Sequence, residues 1–214
     1  MYLKNSEEEL QPIRPDLDRL VPKIRYLRDM KEVLYNKSLE VKGDSPVYYM
    51  YRNLKLKEFG SGEFLRYDIT VIPPGRMGEE YVKTKGHYHP SRYGELYIVL
   101  KGRALYLLQG RDFHDVVSIE AKRGDVVIIP PEYGHITINH GENVLEMANW
   151  VSPDFESLYD PLKEKEGGIF FYTVRGWIKN PNYNTPLSEP RSEEPKKELP
   201  GNLDFLFGKK ENDR

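Results

Sequence analysis

The sequence contains no cysteine and only five histidines among its 214 residues. Disulfide bonds, thiolate catalysis and cysteine-ligated zinc are therefore excluded. Imidazole is the commonest side-chain metal ligand, so the scarcity of histidine leaves few ways to build a metal site. No apolar run approaches the roughly 20 residues that a membrane-spanning helix needs.

The overall charge of the chain does not favour binding to polyanionic partners. The formal net charge is −2, so we expect neither a nucleic-acid partner nor a membrane partner. Residues 1–12 are acidic and lack the basic-then-apolar order of a secretory signal. A cytoplasmic protein is the resulting expectation. The chain is long enough for one well-cored domain with appendages, or for two small domains.

The middle of the chain predicts an all-β domain. Short aromatic and β-branched runs are separated by turns, at spacings of about 8–12 residues and without interleaved helices. This pattern is typical of an antiparallel sandwich or barrel. The expected strands cover residues 47–51, 64–72, 96–101, 104–109, 116–119, 125–129, 135–139, 144–150 and 169–174.

The two ends differ from this middle part, and we divide the chain at residues 46–178 for the barrel. Residues 1–45 predict a helical arm, interrupted or restarted at Pro22, with a second helical patch over residues 30–36. The arm's apolar residues are three or four apart, at Leu17, Leu20, Val21, Ile24, Leu27 and Met30. Residues 179–214 are rich in proline and charge and cannot fold alone. They are either a disordered tail or an arm that docks through Leu203, Phe205, Leu206 and Phe207.

The run from Thr84 to Tyr97 carries the first chemical signal. It places His87 and His89 on alternate positions, and alternate side chains of an extended strand point to the same face. Residues 90–94 predict a bend, and the apolar run that follows predicts a returning strand. That return brings Glu95 opposite the two imidazoles. Such nitrogen and oxygen donors on one sheet face indicate a transition-metal site.

A second run, over residues 124–139, supplies a fourth ligand. A glycine turn begins a buried strand, Pro130 and Pro131 reverse it, and His135 opens the next strand. In a small barrel this hairpin can face the first one. Three imidazoles and one carboxylate then leave coordination positions for water or substrate, which distinguishes a catalytic metal from a structural one.

The two runs resemble the paired motifs of the cupin superfamily. The first has a glutamate, six residues and a glycine, at Glu95 and Gly102. The second has a glycine, five residues and a proline, then a histidine, three residues and an asparagine, at Gly124, Pro130, His135 and Asn139. The gap of five residues before the glutamate is longer than usual. The resemblance implies an all-β cupin fold, a double-stranded β-helix or jelly-roll barrel, flanked by the N-terminal helical arm and the C-terminal extension.

Within the cupins, residues 84–89 followed by Glu95-Leu96-Tyr97 are similar to the cupin-type (archaeal-type, metal-dependent) phosphoglucose isomerases. The segments 71–75 and 28–30 fit this family too, and the resemblance covers roughly residues 25–150. It implies an aldose–ketose isomerase that interconverts glucose 6-phosphate and fructose 6-phosphate in glycolysis and gluconeogenesis. The implied partners are the hexose phosphate and a second copy of the chain, in a homodimer.

The resemblance also implies the metal and the reacting residues. One divalent ion per subunit, iron, manganese, nickel or zinc, is bound by His87, His89, Glu95 and His135, since imidazole and carboxylate suit all four metals. The implied catalytic residues are Glu95, Tyr97 and His135, with Glu95 carrying a proton between adjacent sugar carbons. A metal-assisted hydride shift is the alternative, in which no solvent deuterium enters the product.

The implied substrate-binding residues are Tyr49, Thr70, Thr84, Gly86 and Tyr159, of which the first four match the family's phosphate contacts. Thr70 and Thr84 fall on strands that we expect to be adjacent, so their hydroxyls can meet. One departure from the family concerns the segment after the last barrel strand. Family members carry His-x-Tyr there, whereas residues 152–160 contain no histidine and only Tyr159 can stand in.

Two other functions use the same ligand set. A cupin dioxygenase employs three histidines and one glutamate with ferrous iron and consumes oxygen. A non-enzymatic sugar-binding cupin binds its ligand without turnover. The sequence leaves both open as alternatives to the isomerase.

Overall fold

The computed structural model describes residues 10–40, 45–59 and 62–209, and most of them lie in or between short strands. In chain order the strands are β1 (Lys23–Tyr26), β2 (Pro46–Phe59), β3 (Glu63–Ile72), β4 (Arg76–Met77), β5 (Glu80–Lys83), β6 (Glu95–Lys101), β7 (Arg103–Gly110), β8 (Val116–Lys122), β9 (Val126–Ile129), β10 (Tyr133–Asn139), β11 (Leu145–Val151), β12 (Phe170–Thr173), β13 (Gly176–Lys179) and β14 (Arg191–Glu193). The α-helices are α1 (Leu27–Met30) and α2 (Asp160–Glu164), and 3-10 turns span Leu17–Arg19, Lys31–Val33 and Asp204–Leu206.

The strands form two sheets that face each other. A six-stranded sheet has the order β1-β2-β3-β11-β6-β9, and an eight-stranded sheet has the order β13-β12-β5-β10-β7-β8-β14 with β4 against β5. The pairing of β14 with β8 is parallel, and the other pairs are antiparallel. This architecture confirms the predicted all-β cupin-type barrel.

Side chains from both sheets meet in an inner core. Tyr97 and Val99 of β6 point into it, together with Tyr106 of β7 and Met147 of β11. The alternate residues of β6, including Ile98, point to the opposite face of the six-stranded sheet. Because both faces of the strand are covered, β6 is an almost continuous apolar run and lacks polar alternation.

The predicted N-terminal helix is replaced by a strand. β1 pairs with β2, with Ile24 opposite Tyr49. Helical structure in the described part of residues 1–45 is limited to α1 and the 3-10 turns Leu17–Arg19 and Lys31–Val33. Leu17 packs on the outer face of the six-stranded sheet, whereas Met30 is buried in the inner core. One helical face cannot reach both places, and Pro22 removes a backbone donor between them. The expectation of a helix over residues 17–30 was therefore wrong.

The first and the last described segments of the chain cover the outer face of the six-stranded sheet. Leu10, Leu203 and Leu206 are buried there in one cluster. Trp150 Nε1 donates a hydrogen bond to the Leu10 carbonyl at 3.0 Å, and the Phe207 ring lies 5.6 Å from the Phe59 ring. Of the two alternatives for the C-terminal segment, its described part is thus docked on the barrel. Residues 1–9, 41–44, 60–61 and 210–214 lie outside the described residues.

A buried ion pair connects the N-terminal segment to the strand that precedes the histidines. Lys83 Nζ lies 2.5 Å from Glu80 Oε1, and both side chains are almost fully buried. Lys83 also donates to the Val33 carbonyl, and Glu80 accepts from the Tyr35 amide. Buried charges need such complete pairing to be tolerated. The contacts therefore fix residues 33–35 beside β5.

Among the described helices, none combines the length and the apolar character needed to cross a membrane.

Candidate metal centre

His87 and His89 lie in an extended segment that follows β5. His87 pairs with His135 of β10 through two backbone hydrogen bonds, from the His87 amide at 3.3 Å and from the His135 amide at 3.0 Å. The His87 and His135 rings are 4.4 Å apart, and the His89 and His135 rings 5.3 Å. The local pairing of two extended segments therefore brings three imidazoles together.

Glu95 reaches the cluster from the opposite sheet. It begins β6, which pairs with β9 and β11 in the six-stranded sheet, whereas His135 belongs to the eight-stranded sheet. The expected return strand forms as β6 and brings Glu95 to the imidazoles, but it pairs in the opposite sheet and not beside the histidine segment. The four side chains meet across the barrel interior, because the five residues of the loop before Glu95 carry the chain from one sheet to the other.

The C-terminal arm fixes that loop. The Gly94 amide donates to the Phe205 carbonyl at 2.8 Å. A Cβ at Gly94 would lie 2.6 Å from both the Ile129 carbonyl oxygen and the Phe205 ring, so a larger residue does not fit. The residue immediately before Glu95 is thus held between β9 and the arm.

The ligand atoms of His87, His89, Glu95 and His135 all lie within 4.8 Å of one another. The Nε2 atoms of His87 and His89 are 3.1 Å apart. Glu95 Oε2 is 3.1 Å from His135 Nε2 and 3.4 Å from His89 Nε2. Atoms on opposite sides of one ion with bonds of about 2.1 Å are about 4.2 Å apart. The spacing is therefore close to that of a single bound ion.

The protonation states also suit a metal ion. Burial and the neighbouring imidazoles hold the pKa of His87 well below its usual value, and burial lowers the pKa of His135. Burial opposes ionisation of Glu95, but contacts with His135 and His89 hold the pKa of this carboxyl well below its usual value. Neutral imidazoles and an ionised carboxylate are the forms that bind metals. Glu95 Oε2 is buried without a well-aligned hydrogen bond from the described residues, as expected of an oxygen reserved for a metal.

Asn149, which the sequence analysis did not single out, orients the Glu95 carboxylate. Its Nδ2 donates to Glu95 Oε1 at 2.6 Å, and both residues are buried. Asn149 lies opposite Tyr97 in the β11–β6 pair. Hydrogen bonds to ligating carboxylates set ligand orientation in metal sites. No sequence motif marked this residue, since its role depends on the register of a neighbouring strand.

Two buried phenols border the cluster. The Tyr97 hydroxyl is 3.4 Å from His135 Nε2, and the Tyr106 ring is 5.4 Å from the Tyr97 ring. Burial, followed by the Glu95 charge, raises the pKa of both hydroxyls well above the usual value. Both phenols therefore stay protonated and can donate hydrogen bonds.

The segment after β11 covers the cluster. The Phe155 ring lies 4.6 Å from the His89 ring, and the Tyr159 ring lies 5.5 Å from the His87 ring. Backbone hydrogen bonds between Tyr88 and Leu158 hold the cover in place, at 3.0 and 2.8 Å. Tyr159 thus lies beside the ligand candidates, which leaves its implied role in substrate binding a prediction, and the aromatic ring of Phe155 was missed.

Tyr49 does not lie on the inner face. It faces Val71 of β3 and shares its side of β2 with Tyr51, whereas Tyr48 is buried in the inner core. The Tyr48 hydroxyl accepts hydrogen bonds from the Lys85 amide at 3.2 Å and from Arg25 Nε at 3.3 Å. The strand alternation therefore assigns to Tyr48 the place that the resemblance gave to Tyr49. With two successive tyrosines, the sequence could not fix this choice.

Thr70 and Thr84 belong to different sheets, so the expectation of adjacent strands was wrong. Thr70 lies opposite Met147 in the β3–β11 pair, on the inner face. Thr84 Oγ1 accepts from the Thr137 amide at 3.0 Å. The Thr137 hydroxyl is buried without a hydrogen-bond partner among the described residues. It faces the interior with Tyr106, its neighbour across β7, and was not singled out from the sequence.

Gly86 lies at a tight crossing. Its φ is +77°, and a Cβ there would come within 2.5 Å of Ile136 and 2.7 Å of Leu162. Only glycine fits this left-handed position without displacing both neighbours. Gly86 thereby lets the histidine segment pass beneath α2.

The chain matches one family along most of its length. The family described as Glucose-6-phosphate isomerase (GPI) matches residues 24–188. The curated glucose-6-phosphate isomerase of Thermococcus litoralis is 37% identical over 148 residues, covering 66% of this chain and 75% of the relative. That of Pyrococcus horikoshii is 35% identical over 161 residues, covering 73% and 83%. The family match includes all four ligand candidates.

A solved structure also resembles part of the chain. The oxalate decarboxylase of Lactobacillus farciminis, in a formate complex, is 18% identical with a TM-score of 0.41, covering 52% of this chain and 31% of that chain.

Replacing Asn149 by leucine should weaken metal binding. The substitution removes the hydrogen bond to Glu95 Oε1 and frees the carboxylate to rotate, and loss of such a contact costs about 10–100-fold in affinity. Calorimetric titration of the metal-free protein with Mn²⁺ measures the change. The exposed Asn143→Leu variant is the control and should match the wild type. Equal affinity of both variants would show that Asn149 does not position the ligand.

Proposed function

The chain belongs to the glucose-6-phosphate isomerase family, and on this premise we propose that it interconverts glucose 6-phosphate and fructose 6-phosphate as a metal-dependent aldose–ketose isomerase. The observation that carries the proposal is the cluster of three imidazoles and one carboxylate inside the matched region. It offers candidate metal ligands beside two protonated phenols and the Thr137 hydroxyl, which has no hydrogen-bond partner among the described residues.

We propose that His87, His89, Glu95 and His135 hold one divalent ion per subunit: iron, manganese, nickel or zinc. When bound, the ion would polarise the sugar carbonyl and stabilise the oxyanion that develops during isomerisation. The support is the donor chemistry and the close approach of the four ligand atoms. Ligand type alone does not choose among these metals.

Glu95 is the proposed proton carrier between the two adjacent sugar carbons. Asn149 donates a hydrogen bond to Oε1, whereas Oε2 faces the imidazoles and is the oxygen that would take up the proton. The Tyr97 hydroxyl donates to a sugar oxygen, because its raised pKa keeps it protonated. His135 contacts both Glu95 and Tyr97 and so keeps them in a fixed relation.

The phosphate lies, in this proposal, where Thr84, Thr137 and the Gly86 amide line the inner face. Thr70 contributes from the facing sheet, and Tyr159 closes the site beside His87. Tyr48 takes the part that the sequence gave to Tyr49, and its partner Arg25 adds positive charge next to it. Hydroxyls, amides and a guanidinium are suitable donors to a phosphate.

Removal of the metal tests the function directly. Chelation should reduce the rate of fructose 6-phosphate conversion at least about a hundredfold, because the ion would supply several kcal/mol of transition-state stabilisation. Adding back Fe²⁺, Mn²⁺, Ni²⁺ or Zn²⁺ separately should restore activity and identify the preferred ion. The His87→Gln variant should not be restored, whereas His114→Gln, at an exposed position, should behave as wild type. Full activity in the chelated protein would refute metal dependence, and no conversion with any ion would refute the isomerase.

Thr84→Val tests the phosphate site. Loss of a hydroxyl that bonds a charged group costs about 1.5–3 kcal/mol, so KM for fructose 6-phosphate should rise at least about tenfold with a smaller fall in kcat. Thr84→Ser keeps the hydroxyl and should restore KM. A fall in kcat at unchanged KM would place Thr84 outside the phosphate site.

We further propose that the protein is a cytoplasmic homodimer. The support is the set of apolar side chains left exposed near β1–β3, with Val21 98% and Leu56 59% exposed. Light scattering should give twice the chain mass of 25.1 kDa. A measured mass equal to that of one chain would contradict the dimer.

A further inference from the structure

A second cleft opens on the outer face of the eight-stranded sheet. Its volume is about 670 Å³, within the usual range of small-molecule sites. The floor is formed by Leu105 of β7 and Val116 of β8, and the C-terminal arm closes one side at Leu187. None of the proposed metal, sugar or phosphate contacts lies in this cleft.

The sheet itself separates this cleft from the metal centre. Leu105 faces outward into the cleft, while the next residue, Tyr106, faces the inner core. A ligand in the cleft therefore cannot reach the proposed substrate. The inference made from this cleft is independent of the proposed function.

One wall of the cleft is aromatic. The Tyr172 and Trp177 rings are 4.7 Å apart in an edge arrangement, and the His140 ring lies 5.7 Å from Tyr172. Tyr81 stacks behind Tyr172 at 5.7 Å, which supports the wall from below. Aromatic rings of this kind attract cations through their negative faces.

The charges around the cleft are mainly negative. Asp115, Glu120 and Glu189 line it, against the single guanidinium of Arg191. Arg191 is already engaged, by Asp115 at 3.0 Å and by Glu193. Glu120 is more loosely held, 3.6 Å from Arg103 and 3.6 Å from His140.

We propose that this cleft binds a small organic cation that carries ammonium groups on an alkyl chain. The methylenes lie on Leu105, Val116 and Leu187, and the ammonium groups lie against Trp177 and the carboxylates of Glu120 and Glu189. An anionic sugar phosphate is disfavoured there by like charge. A neutral sugar would leave the excess of carboxylates uncompensated.

Titration of the full-length protein with 1,4-diaminobutane at constant ionic strength tests the proposal. Calorimetry should give one site per chain, and fluorescence should change because Trp177 lines the cleft. The other tryptophan, Trp150, is buried on the six-stranded sheet and should not respond. Trp177→Phe should remove the fluorescence change but keep most of the calorimetric affinity, because phenylalanine retains an aromatic face.

The double variant Glu120→Gln, Glu189→Gln should bind the diamine about tenfold more weakly, as expected for the loss of two partly exposed charge contacts. The control is Glu58→Gln, Glu164→Gln, which changes the net charge equally at exposed positions elsewhere. Equal affinities of the two double variants would overturn the proposal. So would equal binding of 1,4-butanediol, which has the same length without charge, or no detectable binding of the diamine.

Discussion

The structure depends on keeping one carboxylate ionised inside a barrel. Glu95 is buried inside the barrel, where an uncompensated charge is strongly disfavoured. Compensation comes from close imidazoles on one side and from the Asn149 amide on the other. Gly86 and Gly94 allow the close backbone approaches around the cluster. The protonated phenols of Tyr97 and Tyr106 border it. A bound divalent ion would complete the same compensation at Oε2, the oxygen that faces the imidazole nitrogens.

The candidate ligands of the site come from both sheets. The imidazoles come from the eight-stranded sheet and its adjoining segment, while the carboxylate comes from the six-stranded sheet. Its geometry therefore depends on how the sheets pack, and the inner core around Val99 and Met147 sets their separation. Close-packed cores resist small displacements. This suits a site whose atoms must stay within a few tenths of an ångström of their positions.

The sequence was most informative where chemistry depends on local spacing. Alternate histidines, the following glutamate and the second glycine–proline–histidine run identified the ligand cluster, and the spacing of apolar runs identified the barrel. It was least informative where partners are distant in the chain. Asn149 acquires its role only through the β11–β6 register. The choice between Tyr48 and Tyr49 depends on which alternate residues of β2 face inward, and the sequence does not show this because both faces of the strand are covered. The segment around Ile24 has helical spacing, yet it forms a strand because its two ends bind different clusters.

The contact between Gly94 and Phe205 links the site to the order in which the chain is made. The Gly94 amide beside Glu95 takes its hydrogen-bond acceptor from Phe205, which follows all the barrel strands in the chain. During synthesis the barrel strands and all four ligand residues leave the ribosome before this acceptor exists. Domains generally begin to fold as they emerge, so the nascent barrel must pass through a stage in which its ligands are present but the loop before Glu95 lacks this anchor. A segment made after the barrel thus completes the setting of the site.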